Sequence, residues 1–382
     1  MVCLNKISNS IEYGLNASAK DFDGIHKYLR ITDIDDSSRL FLTDKLSSPD
    51  VNFSEEDYEN YKLQKNDLLF ARTGASVGKT YLYRESDGEV YYAGFLIRAR
   101  LCDSFDGNFV FQQTLTDKYK QFIEITSQRS GQPGVNGKEY GVWKIGMTSY
   151  HEQSAIGSLF RTLDDLLSSY KDNLANYQSV KTTMLSKMFP KAGQTIPEIR
   201  LDGFEGKWEN KILSEVTNIT MGQSPKSENY TDNPNDYILV QGNADIKDKQ
   251  VVPRLWTTEV TKMAEIGDII LTVRAPVGDI GKTDFNVVIG RGVAAIKGND
   301  FIFFTLEKMK MTGFWNRFST GSTFESISSN DIKEAIVQLP TLEEQQAIGS
   351  YFSNLDNLIN SYQEKISQLE TLKKKLLQDM FI

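Results

Sequence analysis

Residues 151–189 read HEQSAIGSLFRTLDDLLSSYKDNLANYQSVKTTMLSKMF, and residues 343–381 read EEQQAIGSYFSNLDNLINSYQEKISQLETLKKKLLQDMF. The two stretches align without a gap at an offset of 192 residues, with identities such as Asp164 and Asp356. A self-similar period of this length has to be interpreted before any other feature of a sequence. The chain therefore consists of two copies of one unit.

Each stretch carries apolar residues at spacings of three, four and seven, which gives the narrow stripe typical of a coiled-coil helix. No proline interrupts either stretch, and Pro190 follows the first one, where a helix should end. If helical throughout, residues 151–189 would be about 58 Å long. We expect the two stripes to be buried against each other in an antiparallel pair within one chain, although the sequence leaves pairing between chains open.

Composition excludes several classes of protein. The chain has 382 residues, enough for two domains with connectors, and a net charge of −8, so no overall basic field attracts nucleic acid. Its two cysteines, Cys3 and Cys102, indicate neither a disulfide framework nor a zinc site. His26 and His151 are too few for most metal sites or catalytic triads. Without a signal sequence or a long apolar span, we expect a soluble cytoplasmic protein.

Short β-rich runs separated by glycines precede each helical stretch, so we predict an α/β (α+β) fold with a pseudo-twofold internal repeat. In this fold, two similar globular domains are separated by the pair of long antiparallel helices. The predicted strand at Asp67–Phe70 in the first copy corresponds to Asp268–Leu271 in the second, and the predicted strand beginning at Tyr28 corresponds to Tyr237–Val240. The predicted boundaries are 1–145 for the first domain, 146–190 for the first helix, 191–207 for a linker, 208–338 for the second domain and 339–382 for the second helix.

One glycine-rich segment resembles a phosphate-binding P-loop. That motif needs four residues between its glycines, whereas Gly74 and Gly78 are separated by three, and Gly278 and Gly281 by two. Because a nucleotide site does not survive such changes in loop length, a turn between two strands is the better interpretation. On this alignment of Gly-Lys-Thr sequences, the basic residues recur as Arg72 with Arg274 and Lys79 with Lys282.

Other enzymatic interpretations fail on similar grounds. The segment Asn233–Asp236 is similar to the catalytic loop of amino-methyltransferases, but it lacks the second proline and a suitably placed aromatic residue. No Gly-rich cofactor loop accompanies it, and two histidines do not support a triad. We therefore predict no catalytic residues and no metal site.

Several blocks resemble the specificity (S, or HsdS) subunits of bacterial type I restriction-modification enzymes. They are Gly203–Trp208, Met221–Pro225, Gly321–Thr323 and Leu339–Ile348, the last followed by the second helix. The resemblance covers essentially the whole chain, because the order of domain and helix matches twice. One departure is that the first copy begins at Met1 without a counterpart of Gly206-x-Trp208.

The resemblance implies that each globular half is a target recognition domain reading one half of a split sequence in double-stranded DNA. The helices would set the spacer between the half-sites and dock two methyltransferase (M) subunits, and the complex would recruit restriction (R) subunits. It also implies that this subunit performs no chemistry. S-adenosylmethionine, ATP and Mg²⁺ are then expected in the partner subunits, with no cofactor in this chain and no membrane partner.

Side chains that hydrogen-bond base edges and phosphates are chiefly Arg, Lys, Asn, Gln, Ser and Thr. The candidates in the loops of the first half are Arg72, Thr73, Ser76, Lys79, Arg129, Gln132, Asn136 and Lys138. Those of the second half are Ser224, Lys226, Gln241, Asn243, Arg274, Lys282, Arg291, Ser322 and Thr323. The alternative function is a coiled-coil adaptor whose globular ends bind protein rather than DNA. A self-sufficient ATPase or methyltransferase is a third possibility, which predicts that the isolated chain binds ATP or S-adenosylmethionine.

Overall fold

A computed structural model describes residues 1–128, 131–318 and 326–381. The chain forms two compact units: residues 1–173 together with 362–382, and residues 174–361. The two long helices each contribute part of their length to both units.

The first unit contains a globular domain and parts of both long helices. Its strands are β1 (Val2–Cys3), β2 (Ser8–Tyr13), β3 (Ala19–Asp21), β4 (Lys27–Leu29), β5 (Ser47–Pro49), β6 (Asp67–Ala71), β7 (Thr80–Leu82), β8 (Val90–Tyr92), β9 (Leu96–Leu101) and β10 (Lys144–Ile145). Its helices are α1 (Leu4–Ile7), α2 (Gly107–Gln113), α3 (Asp117–Thr126), α4 (Gly137–Gly141) and the long α5 (Tyr150–Lys187). The central sheet has the order β2-β9-β6-β7, and β4 pairs with β8 in parallel.

The second unit repeats this arrangement with different loops. Its strands are β11 (Glu209–Ile212), β12 (Ile219–Met221), β13 (Tyr230–Thr231), β14 (Tyr237–Val240), β15 (Ile246–Lys247), β16 (Gln250–Val251), β17 (Trp256–Thr257), β18 (Met263–Ala264), β19 (Ile269–Thr272), β20 (Ile280–Lys282), β21 (Val287–Ile289), β22 (Val293–Ile296) and β23 (Ile336–Leu339). Its helices are α6 (Leu213–Val216), α7 (Asp300–Met311), α8 (Ser329–Lys333) and the long α9 (Leu342–Met380). The order β12-β22-β19-β20 matches that of the first sheet, and β14 pairs with β21 in parallel.

Matching hydrogen bonds confirm the predicted internal repeat. Asp67 is the first residue of β6, and Asp268 immediately precedes β19. In both units the aspartate carboxylate accepts a 2.8 Å bond from a backbone N–H three residues earlier, from Gln64 and Glu265. This bond closes the turn before the strand, so the aspartate has the same structural role in both copies. The predicted correspondence of the Tyr28 strand with Tyr237–Val240 also holds, because β4 and β14 both lie in parallel pairs.

The long helices pair antiparallel in each unit, as the apolar stripes predict. In the first unit, Asp164 of α5 pairs with Lys373 of α9 at 2.5 Å, and the rings of Phe160 and Phe381 lie 5.7 Å apart. The residue numbers rise along one helix as they fall along the other. The second unit holds the same ion pair with the helices exchanged, Lys181 of α5 with Asp356 of α9 at 2.5 Å. These two pairs, shifted by 192 residues, are named here the reciprocal ion pairs.

A repeated glycine lets another helix approach each long helix closely. A Cβ atom at Gly157 would lie 3.0 Å from the Phe109 backbone nitrogen, and one at Gly349 would lie 3.1 Å from that of Phe301. Real Cβ atoms rarely come this close to backbone atoms. Positions 157 and 349 therefore require glycine, because the first turns of α2 and α7 pack against them. The start of each globular helix is therefore fixed against a long helix in the same way in both units.

The predicted linker at 191–207 lies outside helices and strands, but it packs against the second unit. Arg200 pairs with Glu344 at 2.7 Å and also bonds the carbonyl oxygens of Glu205 and Gly206. Glu344 is 1% exposed, whereas its counterpart Glu152 in the first unit is exposed. The linker therefore covers a surface that the first unit leaves open.

Candidate nucleic-acid interface

The structure joins two candidate loops of the first unit. The turn between β6 and β7 contacts the segment that leads into α4: Gly74 donates to the carbonyl of Pro133 at 3.0 Å, and Val135 donates to that of Arg72 at 2.9 Å. A bridge between Thr73 and Gly134 continues this pairing. Six predicted residues are consequently grouped on the two joined loops: Arg72, Thr73, Ser76, Gln132, Asn136 and Lys138.

Arg72 stands between two exposed aromatic rings that the sequence analysis missed. Its guanidinium lies 5.3 Å from the centroid of Tyr13 and 5.7 Å from that of Phe95. Tyr13 is 45% exposed and Phe95 is 61% exposed, which is unusual for rings of this size. The Arg72 Nε atom is buried, with no hydrogen-bond partner among the described residues. Cation–π contacts hold the guanidinium in one orientation. The glycine before Phe95, in the short turn between β8 and β9, was the only sequence signal for this ring.

Lys79 takes a different position. It is 8% exposed, its ammonium group donates to the carbonyl of Ile34 at 3.0 Å, and it pairs with Asp36 at 2.5 Å. The hydrogen bond and charge of Lys79 lower the pKa of the Asp36 carboxyl. This lysine ties two loops together inside the domain, and its ammonium group is engaged there.

In the second unit, the turn between β19 and β20 is joined to the segment before α8 in the same manner. Arg274 forms a bridge with Ser326, and Ile327 donates to the carbonyl of Val273 at 3.0 Å. Arg274 is exposed. Next to it lies a cleft of about 690 Å³, lined by Gln241 to Asp245 with Arg254, Leu255, Ala275 and Pro276. The predicted residues Gln241 and Asn243 therefore lie close to the arginine-bearing turn.

Two further candidates of the second unit sit on neighbouring loops. The Ser224 hydroxyl accepts a 3.1 Å bond from the backbone nitrogen of Arg291, whose side chain is exposed. Lys226 is exposed, and its backbone N–H donates to Glu259 at 2.9 Å. This backbone bond, with a second bond from Asn229, lowers the pKa of the Glu259 carboxyl.

Lys282 faces the helices instead of the arginine-bearing turn. Its ammonium group pairs with Asp300 at the start of α7, and Asp300 also accepts a 2.7 Å bond from Ser353 of α9. Burial alone would raise the pKa of the Asp300 carboxyl, but the bonds from Lys282 and Ser353 bring it below its usual value. Lys282 is therefore half-buried in an internal network. Three other candidates, Arg129, Ser322 and Thr323, lie outside the described residues.

The predicted recurrence of the basic residues is wrong in register. Gly78 donates to the carbonyl of Ala71, and Gly278 donates to that of Thr272, so Gly78 corresponds to Gly278 and not to Gly281. Six residues separate Ala71 from Gly78, and five separate Thr272 from Gly278.

The pairing of β6 with β7 and of β19 with β20 gives the remaining equivalences along these hairpins. By this pairing, Lys79 matches Asp279 and Lys282 matches Leu82. Arg72 likewise matches Val273, and Arg274 matches Thr73. The predicted turn between strands is confirmed in the first copy, whereas in the second copy the turn ends at Asp279 and Ile280–Lys282, including the predicted Lys282, form β20.

Comparison with known sequences agrees with this architecture. Residues 205–371 match the family described as type I restriction modification DNA specificity domain. The chain is 28% identical over 392 residues to a Methanocaldococcus jannaschii protein described as the MjaX type I restriction enzyme specificity subunit, an alignment covering 98% of this chain and 90% of the relative. Residues 205–371 are thus similar to this DNA specificity domain, and the chain as a whole is similar to type I restriction enzyme specificity subunits. The type I restriction enzyme MjaVIII specificity subunit of the same organism is 20% identical, with 94% of this chain and 85% of that protein covered.

Two solved structures share the fold of this chain. The S subunit of a type I restriction-modification system from M. genitalium aligns with a TM-score of 0.69 and 16% identity, covering all of this chain and 95% of that one. A chain from a structure describing assembly and conformational transition of a type I system aligns with a TM-score of 0.54 and 21% identity, with coverage of 100% and 96%. Among the described residues, no cluster of His, Cys, Asp and Glu side chains could hold a metal ion. No helix in the described part is both long and apolar enough to span a membrane.

Proposed function

We propose that this chain is the DNA-reading subunit of a type I restriction-modification complex. Each globular domain reads one half of a split target, while the paired helices set the spacer and dock two M subunits. The observation that carries the proposal is the match of residues 205–371 to the DNA specificity domain, together with relatives that align over nearly the whole chain. The duplicated fold supports two reading domains in one chain.

The exposed loop residues supply the chemistry for reading. Arg72 and Arg274 stand on joined loops in their respective units, and arginine is the side chain that most often recognises guanine in the major groove. Around them lie the amide and hydroxyl groups of the candidates described above, which can bond base edges or phosphates. Tyr13 and Phe95 add apolar surface beside Arg72 for contact with a thymine methyl group or a sugar.

Catalysis is assigned to the partners in this proposal. The M subunits would bind S-adenosylmethionine and the R subunits ATP and Mg²⁺, and the complex would work in the cytoplasm. A net charge of −8 is compatible with DNA binding if the reading loops are locally basic and the partners make most phosphate contacts. Binding of the complex should then weaken as the salt concentration rises.

The experiment that tests the proposal is a map of genomic N6-methyladenine in cells expressing this chain with its M subunits. The expected result is one split motif with a constant gap. Exchanging residues 1–145 for those of a relative should change one half of the motif and leave the other half unchanged. The adaptor function would be favoured if methylation did not depend on DNA sequence, or if the complex bound DNA without sequence preference.

A further inference from the structure

Phe95 carries the most exposed aromatic ring among the described residues, and it stands on a rigid turn. The ring is 61% exposed, whereas large aromatic side chains are normally covered in a folded protein. The turn that bears it is closed by two short backbone bonds. Gly94 donates to the carbonyl of Leu15 at 2.7 Å, and Leu96 donates to that of Ala93 at 2.8 Å. The place of the ring is therefore set by the backbone.

The second unit shows that this ring is not needed to build the turn. Arg72 donates its backbone N–H to the carbonyl of Phe95 at 3.1 Å, and Val273 donates to that of Gly292 at 2.9 Å. Gly292 therefore takes the place of Phe95, and the same bond forms there without a side chain. Because the fold does not require the ring, we look for its role in what distinguishes the two units, which is the half-site that each one reads.

The side chain of Arg72 sets the direction from which a ligand can bond it. Its guanidinium lies 5.7 Å from the centroid of the Phe95 ring and 5.3 Å from that of the Tyr13 ring. Its Nε atom is buried, and no described residue accepts a hydrogen bond from it. Arg72 as a whole is half-buried, so the terminal amino groups form its accessible edge. The Tyr13 hydroxyl already accepts a 3.1 Å bond from the backbone of Gly137, which leaves Phe95 as the wholly apolar neighbour.

The geometry of a guanine contact indicates what this apolar neighbour meets. An arginine that bonds the O6 and N7 atoms of guanine with two N–H groups lies close to the plane of that base. A ring over one face of the guanidinium then stands at the level of the next base pair, about 3.4 Å along the duplex. The apolar group that a base pair presents in the major groove is the C5 methyl group of thymine.

We propose that the half-site read by the first unit contains a guanine bonded by Arg72 and, in the adjacent base pair, a thymine whose methyl group packs on Phe95. This inference rests on the proposed function and adds to it the identity of two neighbouring base pairs. Phe95 determines specificity in the first half-site only, because Gly292 presents no ring to the second.

The methylation map described above gives the first part of the test. Exchange of residues 1–145 shows which half of the motif the first unit reads. That half should contain a G·C pair next to an A·T pair. A split motif that lacks these neighbours in that half would overturn the inference and leave the proposed function intact. Methylation without any split motif would contradict the proposed function, and this inference with it.

Competition binding of the complex to synthetic duplexes then isolates the methyl group. Deoxyuridine in place of the adjacent thymine removes the methyl group and keeps the base pairing, so binding should weaken about fourfold. Phe95→Ala should weaken binding of the thymine duplex and abolish the difference between the thymine and deoxyuridine duplexes. The proposal is wrong if the unchanged chain binds the two duplexes equally, or if the difference persists in Phe95→Ala.

Phe285→Ala is the matched control variant. Phe285 is a 40% exposed ring of the second unit, and it follows β20 at the end away from the arginine-bearing turn. This variant should keep the fourfold difference, and its loss would contradict the assignment to Phe95. Glycine at the equivalent position of the second unit indicates that Phe95→Ala folds. The deoxyuridine duplex tests the contact in the unchanged chain in either case.

Discussion

The two units share the bonds that build their sheets but differ in what covers the base of each domain. In the second unit, the linker places Trp208 and Arg200 over the junction with the long helix, and Glu344 becomes almost fully buried. In the first, Glu152 stays exposed and a cavity remains. The paired strands of the two units therefore match in register, while the edges, loops and turn lengths have diverged.

Removing the covering tryptophan should have the largest effect on stability. Trp208→Ala leaves a cavity in a packed core, and such changes cost about 3–5 kcal/mol. We expect the free energy of unfolding of the second unit, measured by urea denaturation, to fall by about that amount. A loss below about 1 kcal/mol would show that the linker contributes little and that the two units are alike in this respect.

The reciprocal ion pairs should also contribute unequally. Lys181 is 7% exposed in its side chain and contacts both Glu307 and Asp356, whereas Lys373 is 17% exposed. Lys249 pairs with the same two carboxylates at 2.6 and 3.1 Å, so Lys181→Met leaves one cation facing two half-buried anions. The variant should therefore cost about 3 kcal/mol, against about 1–2 kcal/mol for Lys373→Met.

The surface pair Lys171–Glu370 provides the control for this comparison. Its two side chains are 40% and 52% exposed, so Lys171→Met should cost less than about 1 kcal/mol. Denaturation of the three variants under the same conditions gives the ranking. Equal losses in the free energy of unfolding for Lys181→Met and Lys373→Met would mean that the difference in burial does not make the two ion pairs contribute differently to stability.

The arginines of the two turns should act on different halves of the target. Arg72→Ala is expected to weaken binding of the complex by about 1–3 kcal/mol and to relax sequence preference in one half-site, and Arg274→Ala should do so in the other. Each variant is the control for the other in competition assays with targets mutated in one half. A change in both half-sites from a single variant would contradict separate reading by the two units.

The smallest expected effect is the response of the second unit to acid. The pKa of the Asp300 carboxyl is lower in the folded chain than its usual value, so its contribution to stability is present above that usual value, near pH 4. The contribution is lost as the pH falls through the lowered pKa of the folded state. Because Asp300 is partly exposed, we expect less than about 1 kcal/mol. Denaturation at pH 7 and near pH 3 should show a smaller acid effect in Asp300→Asn than in the unchanged chain.

Much of the fold could be predicted because its signals are long. The apolar stripes run through two 39-residue stretches, and the structure confirms that these stretches are antiparallel helices. Burial is not complete along the stripes, since Leu372 and Met380 are exposed. Residues such as Ile156, Phe160, Ile348 and Phe352 are buried as their spacing predicts. The hairpins at Gly78 and Gly278 were also predictable, because loop lengths that do not fit a P-loop still fit a turn between strands.

The candidate site was harder to predict because the sequence of a loop does not show how the flanking strands pair. Gly78-Lys79-Thr80 and Gly281-Lys282-Thr283 look equivalent, yet the cross-strand bonds place them at different positions of the hairpin. Burial of Lys79 depends on Asp36 and Ile34, more than 40 residues away in sequence. The aromatic rings around Arg72 come from two other strand ends and were invisible for the same reason.

The reciprocal ion pairs have a consequence for how such chains diversify. Each copy contributes one aspartate and one lysine, and each of these meets the complementary residue of the other copy. A half-chain that keeps both residues can therefore be exchanged by recombination for another half-chain that keeps them, without any compensating mutation in the helix it meets. New combinations of half-chains become accessible in a single genetic step.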